Sequence, residues 1–594
     1  MQTEQCDVVK KDRVDFVKNT FEAIKARAHY LRNWRLFYKW SIAAGLVGVL
    51  GGIGALLFSY TLDAITPLFD SVAAALPDPR LIAIIPAAGG LLVGIIRHVW
   101  MPEAFCSPCA TDAMIDIIHE DGGRSKFKVP FVTILTASIT LASGGSAGRE
   151  CPTALIGTGF GSISSTIIEK LRLDKLLGFS FTKDDVLVLA VCGAAAGIGA
   201  VFRAPIGSAL FVTSVLYIYG MEYDLVLPSM ISSATSYLLF SVFYGFEPLF
   251  NAPFIWAFNV FDLSVVLLIG VLASLVGILY LKVFYGIFRR FRSMAMPDWL
   301  KPALGGLLMG ILVLFIPRVW GMGYGTIQDI IDLQLALPML LLLVIAKILA
   351  SSLSIGSGGA GGVIAPSLFI GAALGGAVGT MATQLFPGAE AHPTLYVIAG
   401  MGALYASVGK VPLSTAIILC ETTRNYTMII PLIVATTAGF LASGTSTIYE
   451  SQHADATRET ADILRRVPVE RVMAKDPFVL REDTSAQDVL RAVGTSGHHG
   501  FPVVNDDDHL VGVVSWTDAR ALPYEERATT PVSEIMTREL IWLRPTDSTR
   551  TALDMIEHNK IGRVIIAEPD GKRVLGVVTR ADLINAYSEW ISAT

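Results

Sequence analysis

The chain has 594 residues, 53% of them hydrophobic and 16% charged, with a mean hydropathy of +0.57. That balance is membrane-like and excludes an ordinary soluble domain as a reading of the whole chain. With 46 basic against 51 acidic residues, it also carries no global signature of nucleic-acid binding.

Residues 1–38 are polar and basic, with Lys10, Lys11, Arg13, Lys18, Lys25, Arg27, Arg32 and Arg35 ahead of the first apolar run. They lack the short apolar core of a cleavable signal. Basic flanks stay on the cytoplasmic side, so the N-terminus is expected there, and Arg289, Arg290 and Arg292 mark a second cytoplasmic loop. Apolar stretches then recur at about 40–60, 82–100, 126–142, 184–200, 204–220, 225–243, 261–285, 302–316, 336–353, 391–408 and 426–443. Several are too short or too glycine-broken for spans of roughly 20 residues, which predicts tilted and partial helices.

Two glycine-rich breaks interrupt these runs. They are Ser143-Gly-Gly-Ser-Ala-Gly-Arg-Glu-Cys-Pro-Thr-Ala-Leu-Ile-Gly157 and Ser357-Gly-Gly-Ala-Gly-Gly-Val-Ile-Ala-Pro-Ser-Leu-Phe-Ile-Gly371. Gly148 coincides with Gly362, Pro152 with Pro366 and Gly157 with Gly371, without a gap. In each, irregular backbone restarts as a helix with proline in its first turn, where a missing N–H costs nothing. Irregular backbone at membrane depth is tolerated where it lines a polar cavity, and paired breaks in two halves mark a transport site. Helix N-termini favour anions. A second match, Gly193 through Pro205 with Gly400 through Pro412, places Ser214 against Glu421 in the alignment. Two matches in one order indicate duplicated halves.

Beyond about residue 465 the chain is soluble in character and repeats again. Pro468-Val-Glu-Arg-Val-Met473 recurs as Pro531-Val-Ser-Glu-Ile-Met536, and Gly512-Val-Val-Ser-Trp-Thr-Asp518 as Gly576-Val-Val-Thr-Arg-Ala-Asp582. Phe501–Val504 and Val564–Ile566 read as buried strands, and Ser485–Val493 and Thr551–His558 as helices.

Gly148-Arg149-Glu150-Cys151-Pro152 resembles the signature of CLC chloride channels and proton-coupled chloride transporters, Gly362-Val-Ile-Ala-Pro366 a second motif of that family, and Ile448-Tyr449 its inner pore tyrosine. The soluble repeats resemble a tandem pair of CBS modules. The resemblance covers about residues 39–590 and implies the following organisation. An all-α multi-pass membrane domain with inverted repeats (39–455) follows a cytoplasmic segment (1–38). A linker (456–466) then leads to α/β CBS modules at 467–522 and 530–590, also cytoplasmic. The family assembles as a homodimer with one pore per subunit, here expected in the cell membrane. No cofactor is required, and chloride and related anions are the substrate.

On this resemblance the anion path involves Cys109, Ser107, Arg149, Glu150, Val363, Ile364 and Tyr449. Backbone amides of Glu150, Val363 and Ile364 supply partial charge without trapping the ion as a fixed cation would. Glu150 is the expected gate: ionised, it occupies an anion's place, and protonated it leaves. Its competing roles are an ion pair with Arg149 or a place on a loop; for Tyr449 the competitor is an interfacial anchor.

Three departures limit the carry-over. Cys151 replaces a glycine after the glutamate. The Gly-Ser-Gly-Ile-Pro motif is missing, and Pro108-Cys109-Ala110-Thr111-Asp112 stands in its place, with Cys109 a weaker donor than serine and Ser107 the fallback. Val215 and Ser214 stand where coupled transporters place titratable glutamates, which favours passive conduction over the alternative, a proton-coupled antiporter. A fluoride exporter is disfavoured by Pro152. Cys106, Cys109 and Cys151 make a poor zinc set without histidine and read better as small packing residues. No nucleophile–base constellation supports an enzyme. In the CBS pair, Ser515, Asp518, Thr579 and Asp582 are candidates for an adenine nucleotide (ATP, ADP or AMP), against the plainer role of helix caps.

Overall fold

The computed structural model describes residues 39–102, 107–170, 183–252, 254–257, 259–452, 467–475, 477–559 and 561–593. The basic N-terminal segment, Cys106 and the expected linker at 456–466 lie outside them. The chain divides into two compact units, Met1–His453 and Ala454–Thr594.

The first unit is helical. In chain order it comprises α1 Lys39–Ala74, α2 Ile84–Trp100, α3 Ala110–His119, α4 Val129–Ala142, α5 Glu150–Lys170, α6 Lys183–Phe202, α7 Pro205–Ser214 and α8 Tyr223–Tyr244. There follow α9 Val260–Ser293, α10 Lys301–Phe315, α11 Tyr324–Ile331, α12 Leu337–Gly356, α13 Ile364–Leu385, α14 Pro393–Gly409, α15 Pro412–Thr423 and α16 Ile429–Ala442. Among the described residues nine helices are long and apolar enough to cross a membrane. Others, such as the 10-residue α3 and α7, are partial, as the short apolar runs predict. The run at 204–220 is helical only to Ser214; proline starts it, and the chain turns before Gly220, which has φ +129°.

The most apolar helices are not the most buried. Windows of α5, α6 and α13 are 78%, 89% and 89% buried, while that of the leucine-rich α9 is 44% buried. Glycine and alanine explain the difference, because without a driving force between apolar surfaces in lipid, small residues let backbones meet. A Cβ on Gly157 of α5 would overlap the Gly193 carbonyl of α6, and one on Gly371 of α13 the Gly400 carbonyl of α14. The two sequence matches thus meet each other once in each half.

A third duplication appears here. Gly90 of α2 abuts the Pro302 carbonyl of α10, and Gly306 abuts the Pro86 carbonyl. The residues responsible, Pro86-Ala-Ala-Gly-Gly-Leu-Leu-Val-Gly94 and Pro302-Ala-Leu-Gly-Gly-Leu-Leu-Met-Gly310, are a close sequence match. Arg203 and Lys410, aligned in the second match, both adopt positive φ (55° and 62°) at the ends of α6 and α14. Each clamps the end of a later helix: Arg203 donates to the Tyr244 and Glu247 carbonyls, and Lys410 to Ser443 Oγ and the Gly444 carbonyl.

The second unit holds two small α/β layers. β2 (Leu480–Arg481), β3 (Gly500–Val504) and β4 (Leu510–Ser515) form one sheet, backed by α17 (Ala486–Ser496) and α18 (Trp516–Ala521). β1 (Ala474–Lys475), β7 (Val574–Thr579), β6 (Arg563–Ala567) and β5 (Trp542–Leu543) form the other, with α20 (Thr549–His558) and α21 (Arg580–Ala593); α19 (Val532–Ile535) precedes β5 in the chain. β3 and β6 are the strands, and α17 and α20 the helices, that the sequence predicts. Two segments pack across the expected module boundaries, 467–522 and 530–590. Val469 joins the core of the second module with Leu543, Ile556 and Val578. Val532 and Met536 join the core of the first with Val489, Phe501 and Val514. The repeated leading segments are exchanged, and β1 pairs with β7 accordingly.

Candidate functional site

The two glycine-rich breaks meet. Gly148 and Gly362 exchange backbone hydrogen bonds of 2.7 and 2.9 Å, a one-residue antiparallel bridge between the halves. Two further bonds repeat the symmetry: the Ala360 amide donates to Thr140 Oγ1 at 3.2 Å, and the Ser146 amide to Ser354 Oγ at 3.0 Å. The starts of α5 and α13 are therefore held face to face.

Glu150 opens α5 and is fully buried. Its Oε1 accepts a hydrogen bond from the Tyr324 hydroxyl at the start of α11. Its Oε2 has no hydrogen-bond partner among the described residues and lies beside the amide of Ala365 in the first turn of α13. A carboxylate thus sits where free N–H groups favour an anion. Among the described residues no ion pair joins it to Arg149; that guanidinium lies 5.5 Å from the Tyr324 ring centre, with Nε unpartnered.

Deeper in, Val363 and Ile364 begin α13, both buried. The Cys151 thiol comes within reach of Cys109, Thr111 and the Ile364 amide, and packs against Gly362, where a Cβ would lie 2.6 Å from its sulfur. Cys109 precedes α3 with extended backbone, and its thiol donates to Asp112 Oδ2 at 3.1 Å. Tyr449 is fully buried, its hydroxyl 2.9 Å from that of Tyr405 and within electrostatic reach of both thiols. Ser107 is partly exposed and donates to Asp116 Oδ2 at 3.3 Å. Glu150, Cys151, Cys109, Val363, Ile364 and Tyr449 are thus brought together, whereas Ser107 is turned to a carboxylate.

The family model described as "Voltage gated chloride channel" matches residues 89–444. The chain belongs to the CLC family. CBS domain models match residues 469–524 and 532–589. A putative ClcB-like chloride channel protein of Ralstonia nicotianae is 30% identical over 440 residues, covering 72% of this chain and 98% of that protein. The voltage-gated ClC-type chloride channel ClcB of Shigella flexneri is 30% identical over 352 residues, covering 59% and 81%. In fold, the CLC chain resembles a slow cyanobacterial Cl−/H+ antiporter (TM-score 0.59, 21% identity, 70% of this chain and 96% of that one). It also resembles a eukaryotic CLC transporter (TM-score 0.58, 17% identity, 92% and 98%). This is a multi-pass CLC membrane protein of anion transport carrying two CBS domains.

Elsewhere in the CLC domain, Ser214 Oγ lies 2.9 Å from Ser414 Oγ, and the Val215 carbonyl accepts from Gln452 Nε2 at 2.9 Å. Glu421, aligned with Ser214, accepts from the Ile206 and Gly207 amides at 3.1 and 2.7 Å and caps α7. In the CBS pair, Asp518 Oδ2 accepts from the Ser515 amide and hydroxyl at 2.8 and 2.7 Å, a capping box at α18. Asp582 Oδ2 accepts from the amide and hydroxyl of Thr579 at the same distances. Arg563 links the modules by donating to the Gly500 carbonyl at 2.6 Å.

Three site residues escape the sequence reading. Tyr324 stands in Gly323-Tyr-Gly325, a glycine-flanked helix start that was a usable signal. Lys347 is a lone charge in the apolar run of α12, which marks a functional position in a membrane protein. It is fully buried, donates to the Val319 and Gly321 carbonyls at 3.2 and 2.9 Å, and lies 4.8 Å from the Phe369 ring centre. Asp112 gives no such signal, because α3 also carries Asp116 and His119.

Proposed function

We propose that this CLC protein conducts chloride passively, with Glu150 as the gate. The observation that carries the reading is the Glu150 carboxylate at the start of α13, in an anion's place, tethered through Oε1 by one hydroxyl and with Oε2 unpartnered among the described residues. An incoming anion competes with it for the same N–H groups, and protonation removes its charge and with it the competition. The curated relatives named as chloride channels support the ion; Val215 and Ser214, which replace titratable glutamates with side chains that do not ionise, support passive flow. The path continues past the Val363 and Ile364 amides to Tyr449, with Arg149 attracting anions to the mouth. Two subunits pair with one path each in the cell membrane, the N-terminus and CBS domains being cytoplasmic. Asp518 and Asp582 take the ribose hydroxyls of an adenine nucleotide, and Ser515 and Thr579 its phosphate.

The test is chloride flux from proteoliposomes with simultaneous pH recording. Downhill chloride release with no uphill proton movement is expected, with flux falling as external pH rises in wild type and flat in Glu150→Gln. Sustained proton pumping would make the protein an antiporter, faster flux of fluoride than chloride a fluoride exporter, and an unchanged pH response in Glu150→Gln would remove the gate.

A further inference from the structure

We propose that Asp112 sets the anion affinity of the inner path by competing with the permeating anion for the single S–H of Cys109; this rests on the chloride-path reading above. Cys109 stands where the family motif has its pore serine, and Asp112 where that motif ends in proline, so the carboxylate is an addition in this chain. Asp112 is fully buried. Its Oδ1 accepts from the Ser451 amide at 3.1 Å, two residues past Tyr449, and its Oδ2 accepts the Cys109 thiol at 3.1 Å. The carboxylate is thus anchored on one side to the segment that bears the pore tyrosine and on the other to the pore thiol.

A thiol has one proton to donate. While Asp112 is ionised it holds that proton and adds a negative charge beside the path, and both effects weaken anion binding. When Asp112 is protonated it becomes a donor itself, the S–H turns to the anion, and the charge is gone. The titratable groups that face Asp112 are Asp116 on its own helix, Cys109 before it, Glu450 after Tyr449, and Tyr285 of α9, whose hydroxyl donates to the Ile448 carbonyl at 2.8 Å; Cys151 of α5 reaches it through Cys109. Two of these, Asp116 and Glu450, are carboxylates, so Asp112 adds to acidic groups already beside this part of the proposed path.

The test uses the full chain carrying Glu150→Gln, which takes the gate's own titration out of the measurement. Chloride binding is measured by calorimetry in mildly acid and mildly alkaline buffer. Binding roughly tenfold weaker at alkaline pH is expected, the size of one charged hydrogen bond gained or lost. Adding Asp112→Asn, which keeps an acceptor for the Ser451 amide, should give tight binding at both pH values. A pH dependence that survives Asp112→Asn, or none while Asp112 is intact, overturns the proposal. The infrared S–H stretch supplies a readout without any change at Asp112. In the Glu150→Gln protein, chloride should shift the Cys109 band at acid but not at alkaline pH, and the band should vanish in Cys109→Ser. A band indifferent to chloride at both pH values also overturns it. A flat external-pH response of Glu150→Gln flux tests the gate separately, so the two readings fail independently.

Discussion

Gly148 and Gly362 exchange their backbone hydrogen bonds with each other, at 2.7 and 2.9 Å. This single bridge joins the two irregular breaks, and it places the first turn of α13 against the Glu150 carboxylate two residues further along α5. A side chain at Gly148 would run into that carboxylate, so the bridge and the Glu150 side chain share one space.

The Tyr324 hydroxyl donates to Glu150 Oε1, and on the proposed reading this bond holds the gate shut. A hydrogen bond to a charged group contributes about 1.5–3 kcal/mol. Tyr324→Phe is therefore expected to raise chloride flux at alkaline external pH by roughly tenfold or more, leaving flux at acid pH unchanged, where the gate is already neutral. Equal flux in the two proteins at alkaline pH would show that the tyrosine only packs.

Lys347 supports the turn that presents Tyr324, through the Val319 and Gly321 carbonyls; the Gly321 amide in turn donates to Gly144 in the first break at 3.0 Å. Lys347→Met keeps the length of the side chain and strands both carbonyls, at about 1–3 kcal/mol each. A lower melting temperature and a rise in alkaline flux in the same direction as Tyr324→Phe are expected. A loss of stability with normal alkaline gating would confine the lysine to a structural role.

Gly157→Ala and Gly371→Ala should each destabilise the membrane unit, because each added methyl meets a carbonyl of the neighbouring helix rather than a side chain that can turn away. Overpacking costs about 1–3 kcal/mol. Thermal unfolding in detergent should show similar losses for the two, since the halves use the same contact. Tolerance of one and not the other would show that the halves have diverged in packing.

In the CBS pair the cap role of Asp582 and its proposed ligand role are separable. Asp582→Ala removes the acceptor for the Thr579 amide and should cost about 1 kcal/mol, as loss of a cap does, and abolish binding of ATP, ADP or AMP in calorimetry of the full chain. Asp582→Asn keeps an acceptor and should recover the stability but not the binding. Wild-type nucleotide affinity in Asp582→Asn would leave the residue a cap alone.

Much of this was legible in the sequence because duplication leaves offsets that local noise cannot mimic. Gly148 with Gly362 is an alignment that became a contact, and the aligned pairs Gly157/Gly371 and Gly193/Gly400 became one helix contact repeated in each half, Gly157 on Gly193 and Gly371 on Gly400. The Pro86 and Pro302 segments carry an equally plain match, but each looks like an ordinary glycine-containing span on its own. Tyr324 was not legible as a partner of Glu150: the contact crosses 174 positions, and the residue aligned with Glu150 in the other half is Ile364, whose side chain accepts no hydrogen bond. Asp112 was hidden because a carboxylate in a polar helix start looks solvated until burial is known. The exchange of Val469 and Val532 between the CBS cores could not be read either, because two segments with the same hydrophobic pattern satisfy either core.

That exchange bears on how the C-terminal unit can be divided. A cut anywhere from 523 to 529 would separate two pieces, each holding the segment the other's core lacks. Neither piece is a complete module. Val469 would leave an opening among Leu543, Ile556 and Val578, and Val532 another beside Phe501 and Val514. The pair is therefore one cooperative object under heat or denaturant, and a bound ligand that steadies either sheet raises the cost of unfolding both.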